Sequence, residues 1–170
     1  MTTFWEGEKM FDWEMILAVI SAFAAAGSAI FAGAQLKESQ KTQKEMLHRE
    51  KQKDTIDAFS KLQEEVLDKL ASDSSQNVKL IVENFNQPKC KEAYDDYRVL
   101  IARLEHFSVA VNCGIYDFDV LDRLGGEHIA FLYKKIKPVI DKANSFSHDK
   151  KYYCEFTELA EKLNEKHKNK

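Results

Sequence analysis

Glycine and proline are scarce in this chain of 170 residues, which contains six glycines and two prolines. A β fold with many short strands needs turn residues at close intervals, so their scarcity, with many Lys, Glu, Leu and Ala, favours helices. Cysteines are also few: Cys90, Cys113 and Cys154 stand singly and are odd in number. They predict neither a disulfide framework nor a cysteine zinc site, and this usage is typical of a reducing compartment.

Net charge is low, at -3, so the sequence has no general excess of positive charge. Composition therefore gives no reason to expect direct nucleic-acid binding. The five histidines do not pair at ligand spacing, and we find no glycine-rich phosphate loop, serine triad or catalytic carboxylate pair. The sequence predicts no metal and no cofactor.

An uncharged segment near the N-terminus is the most distinctive feature. Residues 15–34 contain no charged side chain, and about 20 such residues are what a helix needs to cross a bilayer. A signal peptide is the alternative, because 32–34 (Ala-Gly-Ala) resemble a cleavage site. Signal peptides start with basic residues and have a shorter apolar core, whereas the residues before this segment are mainly acidic. We expect a transmembrane helix over 15–36, after a short external tail at 1–14.

Basic residues follow this segment closely, which predicts that the C-terminal side is cytoplasmic and the N-terminus outside. Residues 37–55 are almost wholly polar and contain no Gly or Pro, so we expect a helical stalk there. The basic residues concerned are Lys37, Lys41, Lys44, Arg49, Lys51 and Lys53.

The uncharged segment differs between its two faces when its residues are placed at helical spacing. One face carries small and polar residues, and the opposite face carries bulky ones such as Phe23 and Ile30. An isolated anchor meets the same lipid on every side, so this division predicts self-association through the small face. The distribution of residues around the helix does not decide between a closed helix contact and a water-filled pore. The alternative to self-association is that Ala is frequent here simply because it is a good helix former. The candidate pore-lining residues are Ser21, Ser28, Gln35, Ala25 and Ala32.

Residues 56–170 show helical periodicity and no strand pattern, which predicts a small antiparallel bundle of four or five helices. Ile56, Val109 and Tyr152 are among the apolar positions expected to face the core. Asp117 is expected to cap a helix, Gly114 and Gly125 to end helices, and Pro138 to bend one. The predicted helices cover 56–70, 77–85, 89–112, 117–124, 127–145 and 149–167.

One short pattern carries chemistry: Arg123 and His128 form an Arg-x4-His pair at a predicted helix junction. It resembles the motif of RNA-cleaving helical domains of the HEPN superfamily, in which the histidine does acid/base work at the ribose 2′-OH and the arginine stabilises the phosphate. The structural alternatives are a helix C-terminal cation for Arg123 and a first-turn histidine for His128. Nuclease members usually have a polar residue where this chain has Leu124, so Arg123 and His128 remain candidates and the chain is not assigned as an enzyme.

The chain also resembles a family of small bacterial membrane proteins with one transmembrane helix and a helical bundle. Within that group it is most similar to the accessory membrane proteins encoded beside the RNA-guided RNA nucleases of type VI-B CRISPR systems. The likeness is carried by the Ala-rich span and by residues 97–111, 114–117 and 152–160.

This resemblance implies an all-α protein with a HEPN-like bundle in the bacterial inner membrane. It also implies a ring-shaped homo-oligomer, an octamer by analogy, that contacts membrane lipid and forms a pore. Such a pore would depolarise the cell in antiphage defence and enhance its functional partner, the RNA-guided RNA nuclease. The alternatives are a membrane-tethered ribonuclease and an anchored scaffold without activity.

Overall fold

The computed structural model describes residues 7–73, 75–84, 87–146 and 151–168. Helices account for nearly all of these residues, and no strand occurs among them. The predicted all-α class is therefore confirmed. The elements are helix α1 (Gly7–Leu62), a π-helical turn (Gln63–Leu67), α2 (Asp68–Ser72), α3 (Ser75–Glu83), α4 (Pro88–Asn112), α5 (Phe118–Ser145) and α6 (Cys154–Lys168).

The chain divides into two compact units, residues 1–48 and 49–170. The described part of the first unit is helical from Gly7 onward, so part of the predicted external tail belongs to α1, while residues 1–6 lie outside the described residues. Large apolar side chains of this unit face outward; Phe23 is 74% and Ile30 75% exposed. By length and composition, α1 is long and apolar enough to cross a membrane.

The second unit begins with the end of α1 and encloses the hydrophobic core. In it α6 packs against α4 and α5, and α3 packs against α5. The π-helical turn contributes two neighbouring buried residues, Val66 and Leu67, to this core. The largest fully buried side chains include Leu70, Ile101, Leu104, Leu121, Ile129, Leu132, Ile136, Phe156, Leu159 and Leu163.

Three predicted core positions are wrong: Ile56, Val109 and Tyr152 are 44%, 38% and 49% exposed. On α1 the buried face starts one residue earlier, at Thr55, and continues at Phe59 four positions later. The Thr55 hydroxyl group donates to the carbonyl of its own helix at residue 51 (2.7 Å) and accepts from the backbone N–H of residue 117 (2.7 Å). A polar side chain therefore occupies the place that hydropathy alone assigned to its neighbour.

The predicted helix ends are largely confirmed. Gly114 follows the end of α4 with φ +75°, a conformation that glycine adopts without steric cost. Asp117 caps α5, because its carboxylate accepts from the backbone N–H groups of residues 119 and 120 at 3.0 and 3.1 Å. The predicted start of the last helix, at 149, lies outside the described residues. Residues 151–153, also predicted to be helical, are not, since α6 begins at Cys154 and Tyr153 has φ 61°.

Helix α5 is interrupted once. Gly125 departs from helical geometry (φ -172°, ψ 26°), and the helix resumes at the next residue. The break predicted at this glycine is therefore confirmed, although it is a single-residue kink and not a loop. Backbone angles at Pro138 stay helical, so the bend expected there does not interrupt α5.

Candidate functional site

The kink in α5 depends on two glycines that pack closely against other side chains. A Cβ atom on Gly125 would overlap the ring of Phe59, which is buried in the core. A Cβ atom on Gly126 would lie 2.7 Å from a carboxylate oxygen of Asp122 and 3.0 Å from Leu163. The distance to Asp122 is shorter than a Cβ atom tolerates and the distance to Leu163 is tight, so the close packing at these positions favours glycine.

An open depression of about 650 Å³ lies at this kink. Both members of the predicted Arg-x4-His pair line it, one before and one after the kink in α5. The residues that line it are Asp122, Arg123, Leu124, Gly125, Gly126, Glu127, His128, Phe131 and His167.

Arg123 and His128 are both exposed at this depression. Neither forms a hydrogen bond or an ion pair with another residue of the described part of the chain. Their side chains are therefore available to a ligand or to another protein. Leu124, which follows the arginine, is 42% exposed and adds an apolar surface beside it.

A cluster of charged groups, missed by the sequence analysis, forms one wall of the depression. The Asp122 side chain is only 6% exposed, and its Oδ1 lies 2.7 Å from Nε2 of His167. The two atoms form a close ion-pair contact, and neither meets the geometry of a hydrogen bond with any atom of the described residues. The other ring nitrogen of His167 lies 3.5 Å from the carboxylate of the exposed Glu127.

Lys166, in the last turn of α6, pairs with this cluster from outside the lining of the depression. Its ammonium lies 2.7 Å from the carboxylate of Asp119 and 3.2 Å from Oδ2 of Asp122. Burial of Asp122 opposes ionisation, but Lys166 and then His167 outweigh it and hold the pKa of this carboxyl group below its usual value. The hydrogen bonds to the two carboxylates in turn raise the pKa of Lys166. Asp122 is therefore ionised at neutral pH, and its charge is already balanced within the protein.

Sequence reasoning found Arg123 and His128 by their spacing, but it had no signal for Lys166 and His167. These two residues lie near the C-terminus, and only the packing of α6 against α5 brings them to the kink. The described residues contain no group of three or more His, Cys, Asp or Glu side chains arranged to hold a metal ion.

The candidate pore-lining residues form a separate set on α1, within the first unit. Their side chains are exposed. The Ser28 hydroxyl group is hydrogen-bonded to the carbonyl oxygens of Ala24 and Ala25, at 2.9 and 3.0 Å. Its donor is therefore satisfied by its own helix, and Ser28 does not require a partner helix in lipid. The full set is Ser21, Ser28, Gln35, Ala25 and Ala32.

Comparison with known proteins gives one match. The model of the domain of unknown function DUF4760 matches residues 16–163, which include the apolar segment and nearly all of the helical bundle. No curated protein and no solved structure matches the chain. Because the match covers most of its length, the chain belongs to the DUF4760 family.

Proposed function

We propose that this protein is inserted in the bacterial inner membrane by residues 15–36, with its N-terminus outside and its C-terminal bundle in the cytoplasm. The uncharged, outward-facing part of α1 supports insertion. The basic residues directly after it support the orientation. The family model matches both this segment and the bundle, so both parts belong to the family's domain.

The proposed function is a homo-oligomeric membrane pore that depolarises the cell. The observation that carries this proposal is the division of α1 into a small, polar face around Ser28 and a bulky face with Phe23 and Ile30. Close contact between helices needs small residues, and bulky apolar side chains suit lipid. The Ser28 donor is satisfied internally, so its oxygen can face water or another helix without leaving an unpaired donor.

The biological setting of this proposal comes from sequence resemblance. By analogy with accessory proteins of type VI-B CRISPR systems, the pore is a ring that acts in antiphage defence and enhances an RNA-guided RNA nuclease. The HEPN-like character of the bundle is part of the same proposal. Its support is the Arg123 and His128 pair at the kink of α5.

A second candidate function is a membrane-tethered ribonuclease of the HEPN type. It is favoured by the exposure of Arg123 and His128 at one depression. The exposed carboxylate of Glu127 in the same depression would repel a phosphate, which weighs against it. An anchored scaffold without either activity is the third alternative.

Reconstitution of the purified full chain tests the pore. Light scattering in detergent gives the mass of the assembly, and release of a small ion from liposomes reports conduction. We expect a large discrete oligomer, and we expect Ser28→Phe to block ion release without preventing insertion. The matched control is Val19→Phe, which introduces the same side chain on the opposite face and should leave release unchanged. A monomer or dimer that leaves liposomes sealed would refute the pore.

RNA cleavage by the same preparations separates the second candidate from the first. A ribonuclease would cleave RNA and lose that activity in the Arg123→Ala, His128→Ala double variant. If the double variant loses its cellular effect while RNA stays intact with both proteins, the pair has a structural or regulatory role.

A further inference from the structure

Three lysines follow the apolar segment on one side of α1. Lys37, Lys41 and Lys44 are spaced by four and three residues, so they lie within an arc of about 60° around the helix. All three are exposed and form no ion pair with another described residue. Glu38 and Glu45 lie along one flank of this arc and not among the lysines. We refer to Lys37, Lys41 and Lys44 as the lysine stripe.

The lysine stripe continues the bulky face of the apolar segment. At about 100° per residue, Val19, Phe23 and Ile30 point to within about 40° of Lys37, whereas Ser28 points to the opposite side. All of these residues belong to one uninterrupted helix within the first unit. The face best suited to lipid along the apolar segment is therefore the face that carries the lysines beyond it.

The helix also sets how far the lysines stand from the apolar segment. Helical rise places Lys44 about 10 Å beyond Lys37, and Lys37 directly follows the last apolar residue, Leu36. Side chains on a helix lean toward its N-terminus, which here is the direction of the apolar segment. Flexible lysine stems leaning this way bring their ammonium groups back toward the headgroup layer, about 5–7 Å thick on each side of the hydrocarbon core.

We propose that the lysine stripe binds the headgroups of anionic phospholipids on the lipid-facing side of α1. The proposal rests on the proposed membrane insertion and on self-association of α1 through its small face, but not on ion conduction. Orientation of a membrane protein depends on the number of cations near the segment and not on the face they occupy. The opposite face of the helix carries the uncharged residues Ser39, Thr42 and Met46. The requirement for orientation therefore does not explain why the first three lysines lie on one face.

Lipid selectivity of the reconstituted full chain tests the proposal. Electron paramagnetic resonance of spin-labelled phosphatidylglycerol and of spin-labelled phosphatidylcholine measures how strongly each associates with the protein surface in phosphatidylcholine vesicles. We expect the association constant of the wild-type protein to be higher for the phosphatidylglycerol probe than for the phosphatidylcholine probe, by up to about fivefold per lysine at low salt. This preference should be lost at high salt. The variant with Lys37→Gln, Lys41→Gln and Lys44→Gln should associate equally with both probes.

A matched control keeps the number of lysines and moves them to the other face. It combines the three glutamine substitutions with Ser39→Lys, Thr42→Lys and Met46→Lys. We expect this protein to insert with the same orientation and to remain unselective. Restored selectivity would show that charge near the segment suffices, and would overturn the proposal of a lipid-binding face.

Protease protection of the same vesicles separates this inference from the proposed function. Inserted wild-type protein without preference for phosphatidylglycerol would overturn the lysine stripe alone, whether or not the vesicles release ions. Wild-type protein that does not insert would overturn both the stripe and the proposed membrane function.

Discussion

Gly125→Ala should destabilise the helical bundle through a steric conflict with Phe59. The backbone at Gly125 has φ -172°, which any residue adopts, so the conflict does not arise from backbone strain. It arises because the added methyl group would overlap the Phe59 ring, which is only 6% exposed and cannot move into solvent. Overpacking of this kind costs about 1–3 kcal/mol of the free energy of unfolding.

If the Phe59 ring causes the loss of stability, a smaller side chain at position 59 should restore part of it. Phe59→Leu removes the ring carbons that the methyl group would meet, at the cost of some core packing. Combined with Gly125→Ala, it should give a protein more stable by about 1 kcal/mol than the sum of the two single effects predicts. Urea unfolding of the full chain in detergent, followed by circular dichroism at 222 nm, measures the four free energies of this double-mutant cycle.

Gly114→Ala is the control, because Gly114 has φ +75° and open space around the position of a Cβ atom. It should cost about 1 kcal/mol through backbone strain, and Phe59→Leu should not relieve that cost. Strictly additive effects of Gly125→Ala and Phe59→Leu on the free energy of unfolding would refute the proposed overlap between the added methyl group and the Phe59 ring.

Three further changes probe polar contacts of the bundle. Thr55→Val removes a fully buried hydroxyl group and its hydrogen bond with the backbone N–H of residue 117, so unfolding in urea should show a loss of about 1–3 kcal/mol. Glu105→Ala removes the carboxylate that accepts from two backbone N–H groups at the start of α6, at 3.2 and 2.8 Å, and should cost about 0.5–2 kcal/mol in the same assay. The pKa of Asp122 is lowered in the folded state, so its ionised carboxylate stabilises the fold above the pKa of the unfolded state, about 3.9. This stability is lost as pH falls below that value. Asp122→Asn should therefore flatten this part of an acid-unfolding curve.

Conservative variants show whether these effects have the proposed causes. Ser60→Ala removes an exposed hydroxyl group that bonds only to its own helix, and it should change stability little, in contrast to Thr55→Val. Glu105→Gln keeps an acceptor oxygen and should lose less than Glu105→Ala. An acid-unfolding curve of Asp122→Asn that parallels the wild-type curve would contradict the pairing with Lys166.

Local signals explain what the sequence predicted of the fold. Gly114 and Asp117 mark helix ends through their own backbone or side-chain chemistry, and the structure confirms both. The break at Gly125 is also confirmed, but the need for glycine there comes from the distant Phe59. The start of α6 was wrong because Glu105 caps it from α4, 50 residues away from Glu155 in sequence. Thr55 was missed for a similar reason, since its burial depends on the backbone of residue 117.

The candidate site follows the same division between local and long-range signals. Arg123 and His128 are related by spacing along one helix, so a sequence pattern suffices to find them. His167 and Lys166 reach the kink only because α6 packs on α5, and no pattern within the sequence links them to Asp122. The charged wall of the depression therefore had to be seen in three dimensions.

This wall bears directly on the choice between the two proposed functions. Lys166 is paired with Asp119 and Asp122, so its charge is balanced before any ligand arrives. A phosphate in the depression would find Arg123 without an ion pair among the described residues but would also meet the exposed carboxylate of Glu127. RNA binding at this site has to overcome that repulsion, whereas a pore formed by α1 does not require any ligand to bind in the depression. The pore proposal therefore accounts for the two faces of α1 with fewer conditions, and the Arg123 and His128 pair is best tested first for a regulatory role.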